Sequence, residues 1–434
     1  MTPAMTQGHG GGEELFRLKQ GRAQQTDSGA STSAKADPII VLDAAASHVT
    51  ALELVFLLCL FKLAFAAERN LVDSLPGYEG VLPFSLETGY VNVYEENGAE
   101  LFYYFIQSED DPRRDPVLLW LTGGDHCTVF SGLALEIGPV KFIREPYNGS
   151  VPRLKYNPYS WTKAANIIFV DSPVGAGFSF SRHPKGYDVG DVSSSLQLKK
   201  FLYKGFLVGN PATGESIDTD SRVPYAHGVG IISDQLYELL NECSKPHILY
   251  KKCFYVSPGP NDESPARMIL KKKTKGLKRP PPRPSMDCQN YVTYLSYFWA
   301  NSMATRDALG IEKGSKDEWV RCHDHDLPYS KDIKSSIKYH RNLTLKGYRA
   351  LVYSGDHDAV IPFLGTQAWV RSLNFSIVDD WRAWHVDGQS AGFAIAYSNN
   401  LTFATVKGGG HTAPEFQPER CLAMFKRWIS NKPL

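Results

Sequence analysis

The stretch Phe403-Ala404-Thr405-Val406-Lys407-Gly408-Gly409-Gly410-His411 is an apolar run that stops at three glycines and a histidine. A second run, Ala350-Leu351-Val352-Tyr353, stops in the same way at Ser354-Gly355-Asp356-His357-Asp358. Short apolar runs that end in glycine and polar residues are typical of buried parallel strands. In an open α/β sheet, functional groups lie just beyond the carboxyl ends of such strands. Both stretches therefore predict functional residues at one edge of a parallel sheet.

Three earlier segments have the same form and extend the predicted sheet. They are residues 117–121 before Thr122-Gly123-Gly124, residues 167–170 before Asp171-Ser172-Pro173, and residues 206–208 before Gly209-Asn210-Pro211. Residues 418–429 predict a closing helix, because a proline stands in the first turn and four apolar residues fall on one face. The pattern indicates an α/β fold with a mostly parallel central sheet.

Composition excludes several classes of protein. The 434 residues include 47 Lys+Arg against 46 Asp+Glu, so the chain has no charge excess that would attract nucleic acid. The basic stretch 271–279 has the composition of a nuclear localisation signal, but in a neutral chain we interpret it as a solvated surface loop. Because 43% of the residues are hydrophobic, disorder of the whole chain is excluded.

The first 67 residues differ from the rest of the chain. Residues 1–50 are rich in Gly, Ser, Thr, Ala and Gln, and we predict a disordered extension. An apolar run at residues 54–61, followed by Ala64-Phe65-Ala66, has the form of a cleavable secretory signal and is too short to span a membrane. The alternative is a buried amphipathic helix. A signal at residues 51–67 would make the protein secreted or vacuolar, with a globular domain at 68–434.

Cysteines and glycosylation sequons agree with passage through an oxidising compartment. The seven cysteines have no C-x-x-C spacing, which favours disulfides over zinc, and we expect neither a metal nor a cofactor. Four Asn-x-Ser/Thr sequons predict N-glycosylation. They begin at Asn148, Asn342, Asn374 and Asn400.

Asp358 and His411 are the strongest candidates for chemistry. A hydrolase of the α/β class uses an acid to orient a histidine, and that histidine activates a nucleophile. The order along the chain in this class is nucleophile, acid, histidine, so these two residues supply the last two members in the right order. The alternative is a loop aspartate that caps its own turn and a structural histidine.

Six motifs occur in order along the chain: Trp120-Leu121-Thr122-Gly123-Gly124, Glu136-Ile137-Gly138-Pro139, the stretch from Asp171 to Ser179, Gly209-Asn210-Pro211, Gly355-Asp356-His357-Asp358 and Gly408-Gly409-Gly410-His411-Thr412-Ala413-Pro414. As a set, they resemble the serine carboxypeptidase family. More specifically, they resemble the plant serine carboxypeptidase-like branch, which contains peptidases and acyltransferases that use glucose esters. The likeness runs from about residue 71 to the C-terminus.

The resemblance implies an α/β-hydrolase fold with an inserted lid at about 212–330 and a peptide or acyl-glucose substrate. Asp358 and His411 match the family's acid and base. Gly123 and Gly124 match the oxyanion loop, with the Gly124 N–H as a donor, and Glu136 matches a residue of the substrate pocket. By the same resemblance, Cys127 pairs with Cys322 and Cys253 with Cys288, whereas Cys243 is left without its partner.

The family's nucleophile motif is not found in this chain. It should lie between Ser195 and Gly205, but residues 201–204 run directly into the next strand. A strand–turn–helix unit with its return needs on the order of 30 residues. Ser390 stands in a G-x-S-x-G sequence, but it lies between the acid and the base and precedes a strand-like stretch. We therefore predict that the catalytic serine and the oxyanion donor that follows it are absent.

The oxyanion loop also departs from the family. Asp125-His126 replaces Pro-Gly, and a carboxylate near a developing oxyanion would oppose its stabilisation.

The missing strand belongs in the middle of the sheet, where each unpaired buried backbone group costs roughly 1–3 kcal/mol. Our hypothesis is an exon-skipped or mis-assembled product of an active family. A pseudoenzyme that folds differently around the gap is the alternative.

Overall fold

The structure is a computed structural model that describes residues 38–41, 69–124, 126–198, 205–240, 280–323 and 327–434. Only the backbone is described for residues 38–41, 205 and 206. The predicted signal at 51–67 lies outside these residues. Among them, no helix has the length and apolar character needed to cross a bilayer.

Short strands alternate with short helices along the chain. The strands are β1 (Pro38–Val41), β2 (Asn70–Leu71), β3 (Leu86–Tyr94), β4 (Ala99–Ile106), β5 (Val117–Trp120), β6 (Val140–Phe142), β7 (Leu154–Tyr156), β8 (Asn166–Val170), β9 (Phe180–Ser181), β10 (Val189–Gly190), β11 (Gly205–Gly209), β12 (Tyr329–Ser330), β13 (Arg349–Gly355), β14 (Ile377–Val386), β15 (Gln389–Tyr397) and β16 (Leu401–Val406). The helices are α1 (Asp191–Leu198), α2 (Ile217–Asp220), α3 (Arg222–Gly228), α4 (Asp234–Leu239), α5 (Asn290–Ala300), α6 (Met303–Ala308), α7 (Ile337–Leu345), α8 (Phe363–Ser372), α9 (Ala413–Phe416) and α10 (Pro418–Ile429), with a π-helical turn at Gly132–Glu136.

Most of the strands form one mixed sheet. Its order is β14-β15-β16-β13-β11-β1-β5-β8-β4-β3-β2, with β9 paired to β4. The six strands from β16 to β8 are parallel, and antiparallel strands flank them on both sides. The five predicted apolar runs all lie in the parallel part, as their composition indicates.

The parallel strands are apolar throughout because both faces of the sheet are covered. Leu118 and Trp120 of β5 belong to one buried cluster, and Leu119 between them belongs to another on the opposite face. The predicted closing helix is confirmed as α10, whose buried face includes Phe425. The Phe425 ring stacks on Trp161 with a centroid distance of 4.2 Å. Two packed layers therefore hold the parallel strand ends in fixed positions.

The position between β5 and β11 is occupied by β1, from the N-terminal extension. Residues 38–41 pair in parallel with residues 117–120 of β5, and Ile40 and Val41 pair with residues 206 and 207 of β11. The prediction of a disordered extension at 1–50 therefore does not hold for Pro38–Val41. The ladder of backbone hydrogen bonds continues through the centre of the sheet, where a gap was predicted.

Only six residues separate α1, which ends at Leu198, from β11, which begins at Gly205. They lie outside the described residues. Six residues cannot contain a further strand, turn and helix. The region 212–330, predicted as a lid, includes α2 to α6, and its residues 241–279 are also outside the described part.

We expect deletion of residues 1–49 to destabilise the protein, because β5 and β11 would each lose a parallel partner. Each lost backbone hydrogen bond costs about 1 kcal/mol net, and thermal unfolding should report it as a lower melting temperature. The matched control is deletion of residues 1–35, which lie outside the compact unit Ala36–Leu434. Equal melting temperatures for the two deletions would show that β1 contributes nothing to the sheet.

Candidate active site

The loops that follow the parallel strands meet at one edge of the sheet. Because β5, β8, β11, β13 and β16 all point the same way, the residues after each strand lie at that edge. Asp358 follows β13 by three residues, and His411 follows β16 by five. These two strands are direct neighbours. The topology therefore brings together two residues that are 53 positions apart.

Asp358 and His411, which were predicted to act as an acid and a base, are in direct contact. His411 Nδ1 lies 2.8 Å from Asp358 Oδ2. The Asp358 carboxylate is 1% exposed, and its Oδ1 accepts hydrogen bonds from the backbone N–H groups of Val360 and Ile361. A carboxylate held in this way fixes the orientation and tautomer of the imidazole, with the ring's Nε2 as the atom for proton transfer. Asp358 thus caps its own turn, as in the alternative interpretation, and also contacts His411, so the roles of acid and base stay a prediction.

Asn210 is a third member of this arrangement, and its contact with Asp358 was not predicted from the sequence. Its Nδ2 donates to Asp358 Oδ2 over 2.8 Å, and its backbone N–H donates to Tyr353 O of β13. Its φ of 47° lies in the left-handed region, which asparagine tolerates better than most residues. One sequence feature could have indicated this contact: Asn210 directly follows β11, at the edge of the sheet where Asp358 and His411 lie.

Gly355 lets the acid loop and the base loop approach each other. A Cβ at this position would lie 2.3 Å from Gly409 O and 2.4 Å from Gly410 O. Two further bonds join the loops: His357 N donates to Gly409 O, and Gly408 N donates to Asp356 Oδ1. A side chain at position 355 would therefore push the His411 loop away from Asp358.

The oxyanion loop follows β5 and is fixed by a disulfide. Cys127 is bonded to Cys322, as the resemblance implied. Gly124 has a φ of 102°, and a Cβ there would lie 2.7 Å from Cys127 Sγ, so the glycine is required. Asp125 lies outside the described residues. Its predicted effect on an oxyanion therefore stays a prediction.

His126 replaces a family glycine and keeps a left-handed backbone. Its φ is 51°, and its side chain is fully buried. The ring packs edge-on against Tyr329 at 5.6 Å and against His323 at 6.3 Å between centroids. The substitution thus fills space beneath the loop with an aromatic ring.

Asp171, after β8, holds the oxyanion loop to the 171–179 loop. Its Oδ1 accepts from Thr128 Oγ1 at 2.6 Å and from Val129 N, and its Oδ2 accepts from Phe178 N at 2.9 Å. Burial raises the pKa of this carboxyl to about 6, although the three donors act in the opposite direction. Asp171 begins one of the family motifs, but its sequence position alone does not indicate this structural role.

Glu136 is partly buried at the end of the π-helical turn. Burial lowers the pKa of nearby Lys141, whereas the charges of Glu415 and Glu136 act to raise it. Glu415 accepts hydrogen bonds from Gln289 Nε2 and Thr412 Oγ1. Glu136 and Glu415 therefore act on the same lysine, and Glu415 is bonded to Thr412, which directly follows His411.

Ser390, which stands in the G-x-S-x-G sequence, and the buried Ser179 both have structural positions. Ser390 lies in β15 and pairs with His385 across the β14–β15 hairpin, so it stands on no elbow. Ser179 is fully buried, and its Oγ donates to Asp171 O and accepts from Phe102 N.

Among the remaining cysteines, the described residues test the implied pairing only at Cys288. Cys288 is disulfide-bonded, and its implied partner, Cys253, lies outside the described residues, as does Cys243. Cys421 is a free thiol buried in α10. Burial raises its pKa.

The strand order and the acid–base pair define an α/β-hydrolase. The family model described as serine carboxypeptidase matches residues 76–204 and 197–431. The chain therefore belongs to the serine carboxypeptidase family, which confirms the resemblance found in the sequence.

Curated relatives from Arabidopsis thaliana match most of the chain. Serine carboxypeptidase-like 7 is 41% identical, with 87% of this chain and 98% of the relative covered. Serine carboxypeptidase-like 11 is 42% identical, with 88% and 99% covered. A solved structure of a prohormone-processing carboxypeptidase from Saccharomyces cerevisiae has a TM-score of 0.58 at 17% identity, covering 83% of this chain and 96% of that one. That likeness supports the fold.

The family match is divided at the junction before β11, and the alignment with a relative is longer than the part of this chain that it uses. The family match is in two parts, and these meet at residues 197–204. The alignment with serine carboxypeptidase-like 7 runs over 437 positions and uses 87% of 434 residues, which is about 378. About 60 aligned positions therefore have no residue in this chain.

We expect Asp171→Asn to reduce the pH dependence of stability between about pH 4 and pH 6. Because the folded pKa of about 6 is above the ordinary 3.8, the folded state binds the proton more tightly than the unfolded chain does. The resulting stabilisation is complete below pH 3.8 and is lost as the pH rises through 6. The melting temperature of the variant, relative to wild type, should therefore rise with pH. Asp307→Asn, at an exposed carboxylate, is the control; the same pH profile for Asp171→Asn and wild type would contradict this account.

Proposed function

We propose that this chain is a serine carboxypeptidase family protein that has an assembled acid–base pair but no nucleophile, and therefore no triad catalysis. One observation carries the proposal: Asp358 and His411 are in hydrogen-bond contact, while only six residues separate α1 from β11. In the fold class, the serine is presented by a strand–turn–helix unit inserted at that point. Six residues are too few to form it.

The comparisons support this proposal. The division of the family match at residues 197–204 falls at the same junction. The deficit of about 60 aligned positions is larger than the roughly 30 residues that such a unit needs. A deficit of this size is also consistent with the absence of the implied partner of Cys243.

The missing hydroxyl has a direct chemical consequence. A histidine held by an aspartate accepts the proton of a serine as that serine attacks an acyl carbon. Without the hydroxyl, no bond to the acyl carbon forms, and no acyl-enzyme intermediate follows. His411 could still accept a proton, but no side chain would form a covalent bond to the substrate. Hydrolysis of C-terminal peptide bonds and acyl transfer from glucose esters both need the intermediate, so both are lost.

A non-catalytic binding protein is the second candidate. It is favoured by the retained structure around the site: the Cys127–Cys322 disulfide, the Asp171 bonds and the Glu136 turn are all present. A peptide is the first ligand to test, because carboxypeptidases act on peptides, and an acyl-glucose is the second. If the missing unit were restored, the same pocket would serve a peptidase or an acyltransferase.

Secretory routing is part of the proposal. The apolar run at residues 54–61 and the small residues after it support an export signal, and the protein would be secreted or vacuolar. Cleavage after Ala66 would also remove β1 from the centre of the sheet. Edman sequencing of the exported protein would therefore report whether β1 is retained.

We expect the purified 434-residue protein to remain unlabelled by a serine-directed fluorophosphonate, because no hydroxyl is activated by His411. Serine carboxypeptidase-like 7, treated in the same way, serves as the positive control. Stoichiometric labelling that His411→Ala abolishes would overturn the proposal, since it would reveal an activated serine elsewhere in the chain.

We expect isothermal titration with peptides and with a glucose ester to separate the binding protein from an inert one. Saturable heat that is reduced by Glu136→Gln would support a retained pocket. A cooperative melt together with no heat from either ligand class would exclude binding while leaving the fold intact.

A further inference from the structure

Three of the four predicted glycosylation sequons lie at the edge of the sheet opposite the acid–base pair. Asn374 comes three residues before β14, and Asn400 comes directly before β16. Asn342 is in α7, which leads into β13. Strands β13, β14 and β16 point the same way, so their starts share one edge. Asp358 and His411 follow the other ends of β13 and β16, about 20 Å away at roughly 3.3 Å per residue.

Contacts between neighbouring residues join the three sequons into one surface. The guanidinium of Arg341, next to Asn342, lies 5.8 Å from the ring of Phe375, the middle residue of the second sequon. Ser398 N donates to Ser376 O, which ends the second sequon, over 2.8 Å. In the third sequon, Asn400 O accepts from the backbone N–H of Ala350 at the start of β13.

Each of the three asparagines is exposed to solvent. Asn374 and Asn400 have φ angles of 56° and 59°, and they lie in the short connections that precede β14 and β16. A large hydrophilic group on any of the three side chains is therefore compatible with the folded state. Asn148, the fourth sequon, is also exposed, but it lies in the loop between β6 and β7.

The same edge exposes apolar side chains at the start of β14, which pairs with β15 and is the outermost strand of the sheet among the described residues. Leu345 is 50% exposed, Ile377 55% and Val378 67%. Ile377 and Val378 begin β14, which is the last strand in the sheet order. An exposed edge strand with apolar residues is a template for pairing with another chain, and proteins usually cover or interrupt such edges.

We propose that Asn342, Asn374 and Asn400 carry N-linked oligosaccharides, which form one glycan patch over Leu345 and the start of β14. The patch prevents edge-to-edge pairing of two copies and leaves the acid–base edge of the sheet open. The inference rests on the secretory routing proposed above. It is independent of the missing nucleophile.

The attachment is a group transfer from a lipid-linked oligosaccharide. A bond forms between the asparagine Nδ2 and C1 of the first N-acetylglucosamine, and the bond from C1 to the lipid pyrophosphate oxygen breaks. The pyrophosphate leaves with the electron pair, and the amide nitrogen gives up one proton. At Asn342, attachment must precede folding, because the Thr344 hydroxyl of that sequon is buried and donates to His340 O.

The test uses the full chain, fused to the signal sequence of a eukaryotic host and recovered from the medium. We expect glycopeptide mass spectrometry to find modified Asn342, Asn374 and Asn400. Ser376→Ala should remove the glycan at Asn374 alone, and the matched variant Ser376→Thr should keep it. Unmodified peptides at the three positions in protein whose Asn148 is modified would overturn the proposal.

Sedimentation velocity tests the covering role of the patch. Endoglycosidase treatment should shift the protein to larger species in a concentration-dependent way, and Val378→Lys should reverse the shift by placing a charge on the edge strand. No change in sedimentation beyond the lost glycan mass would contradict that role. Neither readout depends on fluorophosphonate labelling, so failure here leaves the proposed loss of catalysis intact.

Discussion

The hydrogen bond between Asp358 and His411 is the interaction on which the loops at the carboxyl ends of the parallel strands depend. Most of the contacts described at this edge of the sheet hold one of these two residues in place. The carboxylate is buried and accepts from Asn210 Nδ2 and two backbone N–H groups as well as from the histidine. A buried charge without such donors would be costly, so each donor is also a constraint on the loop that carries it. The close approach of Gly355 to residues 409 and 410 follows from this arrangement. The site is therefore built to orient an imidazole.

The centre of the sheet shows how the fold accommodates the short connection before β11. Strand β1, from a segment more than 160 residues earlier, lies where a strand from that connection would be expected. Its pairing on both sides satisfies backbone groups that would otherwise be buried without partners. It restores the ladder of hydrogen bonds but supplies no elbow and no serine to His411. A continuous sheet therefore does not by itself assemble a triad.

Much of this arrangement could be predicted from sequence, because local pattern carries it. The apolar runs that end in glycine located β5, β8, β11, β13 and β16, and the pattern after two of them pointed to Asp358 and His411, which are in hydrogen-bond contact. The pairing of Cys127 with Cys322 followed from the family resemblance. Strand β1 could not be predicted, since four apolar residues in a polar extension have no periodicity that identifies a partner. The roles of Asn210 and Asp171 depend on contacts between distant loops, which a single sequence does not reveal.

Restoring the missing unit is the most direct test of the claim that only the nucleophile is lacking. A strand–elbow–helix segment from a serine carboxypeptidase shown to be active would be inserted between Lys204 and Gly205 in a chain that lacks residues 1–49, so that β1 does not compete for the central position. The account predicts that a fluorophosphonate labels the inserted serine and that His411→Ala or Asp358→Asn abolishes this labelling. An insertion variant that melts cooperatively but stays unlabelled would contradict the claim, because the acid–base pair would then be incompetent in its own right.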